Sequence, residues 1–212
     1  MQAINQMIFT QIMAIQLLLS IPGAIIAIIV YEYTKAIVNH NIATELTAEA
    51  GIKPRKFRVS PFRFVDPLGL ILMVVFGYGW GRPAKLNPFA YRNRKMGFLM
   101  VFAMPFCVSL IVGVAFAMSA MLVDTTNVGG QYLRFALSST ARMNIGFAFF
   151  NFLPIYPLNG NLLVGTIRPM LGMKIARHER ALQVGLVLFI VLGGARLVFD
   201  NIVFALFGTL LF

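Results

Sequence analysis

Long apolar runs alternate with short polar, glycine-rich or proline-containing breaks along this chain, and the pattern predicts helices that cross a membrane. The first run, Ile8 to Val30, is long enough to span a bilayer, and its helix is expected to continue through Ile37. Further helices are predicted from about Gly97 to Val123 and from about Tyr132 to Pro154. We therefore predict an all-α polytopic membrane protein in which residues 1–212 form a single membrane-embedded domain of four to six spans.

The segments between these helices carry breaks that predict irregular backbone. A polar connector, Val38 to Pro61, includes the basic run Lys53 to Arg58, and loops or a small strand are expected between Lys53 and Asp66. The apolar stretch from Asp66 to Gly81 is interrupted by a proline and several glycines, which favours a re-entrant segment. Irregular backbone at membrane depth is tolerated where it is buried in protein or lines a wet cavity.

The last third of the chain contains two further apolar regions. Leu162 to Arg180 is predicted to be an interfacial helix, broken near Arg168-Pro169 and near Gly172. Leu182 to Phe212 is consistent with one span plus a hydrophobic tail and equally with a bent hairpin. The pattern leaves these two alternatives open.

Composition and charge agree with a membrane location. Hydrophobic residues make up 59 % of the chain and charged residues 12 %, which leaves too little polar surface for a soluble domain. Eleven of the 18 Lys and Arg residues lie within residues 35–97 and four within 161–180. Because basic residues gather on the cytoplasmic side, both clusters are expected there, with the N-terminus and the region near Asp124 outside. No nucleic-acid-binding motif accompanies the charge, so the expected partners are the lipid bilayer and other membrane proteins, with no nucleic acid.

Several short motifs occur in a characteristic order. Residues 151–160 read N-F-L-P-I-Y-P-L-N-G, which resembles N-x-L-P-x-x-P-L-D-G. Residues 64–69, F-V-D-P-L-G, resemble I-D-P-x-G, and residues 76–83, F-G-Y-G-W-G-R-P, resemble F-G-F-G-W-A-K-P. Asn87-Pro88 and residues 92–97 continue the series. Together these motifs resemble the short bacterial members of the site-2 protease family, which are intramembrane zinc metalloproteases, over roughly residues 20–195.

The resemblance implies a site-2 protease-like transmembrane core and a particular set of site residues. In the family, an H-E-x-x-H motif and an Asp supply three zinc ligands, and the Glu is the general base. Here Tyr31 and Lys35 stand at the histidine positions and Asn159 at the aspartate position, so all three ligand positions are substituted. Glu32 is retained at the general-base position, and Asn151 at the position that steadies the oxyanion or substrate.

The substitutions predict that the family cofactor, zinc, is absent and that no other cofactor replaces it. An ammonium such as that of Lys35 has three donors and no lone pair to give to a metal. The two histidines of the chain, His40 and His178, are poorly placed to rebuild a site and are expected to be surface or interfacial residues.

Two interpretations of Lys35 remain open from the sequence. It can pair with Glu32 one turn away, with hydrogen bonds from Tyr31 and Asn159 capping the pair, and so lock the helices where zinc is bound in the family. Alternatively, it lies near a helix end and extends to the cytoplasmic headgroups. Asn151 likewise has a purely structural interpretation, in which it bonds a neighbouring backbone carbonyl.

Three functions are consistent with these observations. The leading hypothesis is a non-catalytic pseudoprotease in the bacterial cytoplasmic membrane that binds a transmembrane client or serves as a structural subunit of a membrane complex. The first alternative is an active intramembrane zinc endopeptidase with an atypical site. The second is a transport or channel component lined by Glu32, Lys35, Asn151 and Asn159, although no internal repeat is evident.

Overall fold

The computed structural model describes residues 2–49, 56–86 and 91–211, so part of the Lys53 to Asp66 region and the Asn87-Pro88 motif lie outside the described residues. Within those ranges the chain is all-α, as predicted, and a short 3₁₀-helix, Pro61–Phe64, takes the place of the small strand. The α-helices are α1 (Gln2–Glu49), α2 (Pro67–Phe76), α3 (Arg94–Met121), α4 (Val128–Phe150), α5 (Gly160–Ile167), α6 (Pro169–Arg177), α7 (Glu179–Val191) and α8 (Gly194–Leu211).

Two of the described helices are long and apolar enough to cross a membrane, namely α1 over Thr10–Ala43 and α3 over Lys95–Met121. A third span results if α7 and α8, which are bent by 66° at their junction, count as one. The protein is therefore a membrane protein, with fewer spans by length and composition than the four to six predicted. The predicted third span, α4, is less apolar because it carries Arg134 and Arg142.

Several boundaries differ from those predicted, each for a local reason. The first helix does not end at Ile37 but continues to Glu49, since neither proline nor glycine interrupts this stretch. The interfacial helix is broken at Arg168, as predicted, but not at Gly172. A Cβ on Gly172 would lie 2.7 Å from the Cα of Gly165, so this glycine allows α5 and α6 to pack closely. The region after Leu182 is a bent helix pair with Gly193 at positive φ in the junction.

The stretch from Asp66 to Gly81 forms a short helix followed by an irregular return, as expected of a re-entrant segment. Asp66 caps α2 by accepting a hydrogen bond from the Gly69 N–H at 3.0 Å, and Gly77 ends the helix with a φ of 86°. The backbone then folds back so closely against α2 that a Cβ on Gly69 would lie only 2.0 Å from the Trp80 carbonyl oxygen. This return brings residues 81–84 alongside α1.

Helices α1, α3 and α4 pack together and form the centre of the molecule. Ala24, Ala27 and Ile28 of α1 are fully buried against Met143 and Phe147 of α4. Small residues permit the close approach: a Cβ on Gly23 would lie 2.7 Å from the Thr140 hydroxyl of α4. The candidate site residues of α1 follow directly along this packed face.

Candidate functional site

Five residues singled out in the sequence come together at the end of the packed α1–α4 face. Tyr31, Glu32 and Lys35 belong to α1, Asn151 ends α4, and Asn159 precedes α5. Each of the five is only 1 % exposed. Polar side chains buried to this extent in a membrane protein need internal partners, so their hydrogen bonds define the site.

The centre of the site is an ion pair between Glu32 and Lys35. The Lys35 Nζ lies 2.8 Å from Oε1 and 2.7 Å from Oε2 of Glu32, so the ammonium contacts both oxygens of the carboxylate. Residues three apart on a helix share a face, which lets the pair form within α1. The pair neutralises two charges that would each be costly to bury alone.

The carboxylate of Glu32 has a further partner in the segment that returns from α2. The backbone N–H of Ala84 donates to Glu32 Oε2 at 2.9 Å. Two residues earlier, the N–H of Arg82 donates to the Phe64 carbonyl at 2.7 Å, which holds this segment in place. Gly81 lets the segment approach α1, because a Cβ there would lie 2.7 Å from Cγ2 of Ile28. Glu32 thus ties the return segment to α1.

Tyr31 and Asn159 bond to each other and connect α1 to the loop before α5. The Asn159 side-chain amide donates to the Tyr31 hydroxyl at 3.1 Å. The Tyr31 ring meets Phe147 of α4 edge-to-face, with ring centroids 5.4 Å apart. Lys35 Nζ lies 5.9 Å from the centroid of the Tyr31 ring, within the range of a cation–π interaction. Tyr31 therefore contacts both α4 and the loop before α5.

Asn151 closes the loop between α4 and α5. Its side-chain amide donates to the Phe147 carbonyl at 2.9 Å, and its side-chain oxygen accepts from the Asn159 N–H at 3.2 Å. Its own carbonyl accepts from the Gly160 N–H at 2.7 Å. A Cβ on Gly160 would lie 2.2 Å from the Phe152 carbonyl oxygen, so only glycine fits this closure. The structural interpretation of Asn151, a bond to a neighbouring carbonyl, is confirmed.

The arrangement decides between the two interpretations of Lys35. The ammonium is buried and paired with Glu32, so the prediction of a buried pair is confirmed and the extension of Lys35 to the headgroups is wrong. The predicted capping of the pair by Tyr31 and Asn159 is also wrong, because these two side chains bond to each other and the described cap is the Ala84 N–H. No side-chain pattern could have indicated Ala84, since every residue except proline offers a backbone N–H.

Both histidines lie away from these residues. His40 faces an open cleft beyond the end of the site and packs against Phe57, with ring centroids 5.2 Å apart. His178 lies at the junction of α6 and α7, exposed, with Nδ1 3.1 Å from the Lys174 carbonyl oxygen. In the described part of the chain, no group of three or more His, Cys, Asp or Glu residues is placed to hold a metal ion.

Among curated proteins the chain is similar to "Putative zinc metalloprotease YwhC" of Bacillus subtilis (strain 168). The two sequences are 25 % identical over 176 residues, which covers 81 % of this chain and 80 % of the relative. No protein-family model matches the chain, and no solved structure matches it. The similarity supports the relationship to site-2 proteases that the motifs indicate.

The residues at the positions that the resemblance assigns to zinc ligands do not fit a zinc ion. Catalytic zinc in proteins takes nitrogen, sulfur or carboxylate ligands, whereas these positions offer a phenol, an ammonium and an amide. Of these, Asn159 Oδ1 is buried without a hydrogen-bond partner, yet one neutral amide oxygen is a weak ligand. The remaining carboxylate, Glu32, already bonds the ammonium and the Ala84 N–H.

We predict that Lys35→Met destabilises the protein by about 3–5 kcal/mol, because it leaves the Glu32 carboxylate buried without its counter-ion. The free energy of unfolding in detergent would be measured by denaturant titration. The double variant Glu32→Gln/Lys35→Met removes both charges and is expected to recover much of the loss. Lys174→Met, which removes an exposed lysine on α6, is the control. Equal stability of Lys35→Met and the control would contradict the pairing.

Proposed function

We propose that this protein is a non-catalytic relative of the site-2 metalloproteases, which acts by binding other membrane proteins. The observation that carries the proposal is the buried Glu32–Lys35 pair, whose atoms lie 2.7 and 2.8 Å apart. The ammonium places a positive charge beside the carboxylate, where the resemblance predicts zinc. The pair lies within α1 and neutralises the buried charge, and the bonds from Ala84 to Glu32 and from Asn159 to Tyr31 would join α1 to its neighbours in the place of a metal ion.

The alternative of a working protease is less well supported. A general base must be able to accept a proton from water, but both oxygens of Glu32 are engaged by Lys35. A zinc ion at the same position would lie close to the ammonium and be repelled by it. An active site would require this pair to separate and other ligands to be supplied.

The transport alternative also lacks support from the geometry of the site. It needs Glu32, Lys35, Asn151 and Asn159 to line a passage, yet each of the four is 1 % exposed. The described cavity beside Asn159 has a volume of only about 10 Å³, which is about the space of a single water molecule.

A protein of this fold that does not catalyse cleavage would act by binding other membrane proteins. The partner is either a transmembrane client helix or the other subunits of a membrane complex. Phe152 follows Asn151 directly, is 46 % exposed and packs against Phe102 and Phe106 of α3. This aromatic surface at the edge of the site supports contact with an apolar helix.

We further propose that the protein lies in a bacterial cytoplasmic membrane with both basic clusters on the cytoplasmic side. The bacterial relative supports the membrane, and the charge distribution supports the orientation. Residues of α5, which leads into basic α6, pack beside Phe98 and Phe102 at the start of α3. Asn39 of α1 contacts the segment just before α3 through its hydrogen bond with Tyr91.

A cleavage assay tests the absence of catalysis. Purified protein would be incubated with a panel of fluorescently labelled transmembrane segments, with added zinc and separately with a metal chelator. We expect no product above the background of the Glu32→Gln/Lys35→Met variant, which removes the carboxylate without leaving an unpaired charge. A product that the chelator suppresses and the double variant does not form would establish a protease and overturn the proposal.

Photocrosslinking tests the binding role. A photoreactive amino acid in place of Phe152 is expected to capture an intact membrane protein in cells. The control position is Leu192, which is 81 % exposed at the junction of α7 and α8. Capture at Leu192 alone would favour a subunit of a larger complex over a client at the site. Capture at neither position would contradict binding through these surfaces.

A further inference from the structure

A large open cleft lies beyond the end of the buried site. Its volume is about 880 Å³, and it lies between the end of α1, the segment that contains the 3₁₀-helix and the return segment after α2. Many of the residues that line the cleft are basic: His40, Lys56, Arg58, Arg63, Arg82 and Lys85. No acidic residue is among the described residues that line the cleft.

The positive charge of the cleft is poorly balanced within the protein. In the described part of the chain, one ion pair involves these side chains, between Arg82 Nε and Asp66 Oδ2 at 3.8 Å. Arg82 is 59 % exposed in that pair, so the contact is weak. Lys56, Arg58 and Lys85 are exposed as well. Several cations around one cavity, with a single weak ion pair among the described residues, favour the binding of an anion.

The cleft lies at an end of two membrane-spanning helices. Asn39 lines it near the end of the apolar part of α1 and donates a hydrogen bond to the Lys85 carbonyl at 3.4 Å. The side-chain oxygen of Asn39 accepts from the hydroxyl of Tyr91, which lies just before the first turn of α3. Spans begin and end at the headgroup region of a bilayer. An anion that is always present at this level is a lipid headgroup.

The lining of the cleft also includes apolar side chains. Phe57 and Phe64 are among them, and Tyr33 packs against both rings at centroid distances of 5.6 and 6.3 Å. Next to the cleft, Phe62 of the 3₁₀-helix is 70 % exposed. Aromatic residues beside basic ones are typical of surfaces at the membrane interface, where rings contact acyl chains and cations contact phosphates.

We propose that this cleft binds the headgroup of an anionic phospholipid, such as phosphatidylglycerol. The phosphodiester oxygens would accept hydrogen bonds from the Arg58 and Arg63 guanidiniums, which suit phosphate because their donors form a planar fork. The ammonium groups of Lys56 and Lys85 would add further positive charge near the phosphate. The site is separate from the Glu32–Lys35 pair, and binding there does not depend on whether the protein is catalytic.

The headgroup would also affect the buried site mechanically. Ala84 lines the cleft, and its N–H bonds Glu32 Oε2 at 2.9 Å. A ligand that holds the return segment in place therefore supports the same segment that caps the ion pair. A ligand that binds the folded state and not the unfolded state raises the free energy of unfolding by RT ln(1 + [L]/Kd).

A lipid titration of the full chain in neutral detergent tests the proposal. The melting temperature would be followed as short-chain phosphatidylglycerol, phosphatidylcholine or inorganic phosphate is added. We expect a rise that grows with the concentration of phosphatidylglycerol and little change with the other two. Arg58→Gln/Arg63→Gln is expected to weaken the apparent affinity for phosphatidylglycerol by about tenfold or more, since each cation near a membrane contributes substantially to attraction.

Matched variants distinguish binding of the lipid in the cleft from nonspecific attraction to the positive charge of the whole protein. Lys174→Gln/Arg177→Gln removes the same charge from exposed positions on α6 and is expected to leave the affinity unchanged. Arg58→Lys/Arg63→Lys keeps the charge but removes the planar forks, so its affinity is expected to lie between those of the wild type and the Gln pair. Should the Gln pair fail to fold, the single Lys56→Gln variant is expected to show a smaller loss. Equal losses in the cleft and α6 variants would overturn the proposal, as would equal effects of the two lipids. If inorganic phosphate alone raised the melting temperature as much as phosphatidylglycerol does, the lipid proposal would be overturned and the cleft would be assigned to a soluble anion.

Discussion

The burial of one carboxylate beside one ammonium constrains this structure more than any other described contact. Glu32 and Lys35 are each 1 % exposed, so neither can satisfy its charge with water. Removal of one partner would leave an isolated charge in an apolar surrounding, which is far more costly than loss of an exposed ion pair. The remaining elements of the site are therefore arranged around a pair that must stay closed.

Three parts of the chain converge on this pair. The return segment after α2 supplies the Ala84 N–H to Glu32, and Gly81 gives that segment room beside α1. On the other side, Tyr31 links α1 to Asn159, and Asn151 fixes the loop that carries Asn159. The resemblance assigns zinc ligands to two of these parts, α1 and the loop that carries Asn159. Here a hydrogen bond between Tyr31 and Asn159 joins those two, and the ion pair lies within α1.

The sequence predicted the helices and offered the buried pair as one of two interpretations of Lys35, because apolar runs and one-turn spacing are local signals. It did not predict the extension of α1 to Glu49, although neither proline nor glycine interrupts residues 38–49. Nor did it predict the bond between Tyr31 and Asn159, whose partners lie 128 residues apart. The predicted break at Gly172 is wrong because this glycine packs against Gly165, a neighbour in space that the sequence pattern does not reveal.

The most direct test of the proposal is the zinc content per chain, measured by elemental mass spectrometry on purified protein. The variant Tyr31→His/Lys35→His/Asn159→Asp restores the ligands that the resemblance assigns to these positions. If the ion pair has replaced a metal on a preserved scaffold, zinc is absent from the wild type and approaches one ion per chain in the variant. One zinc ion per chain in the wild type would contradict the account.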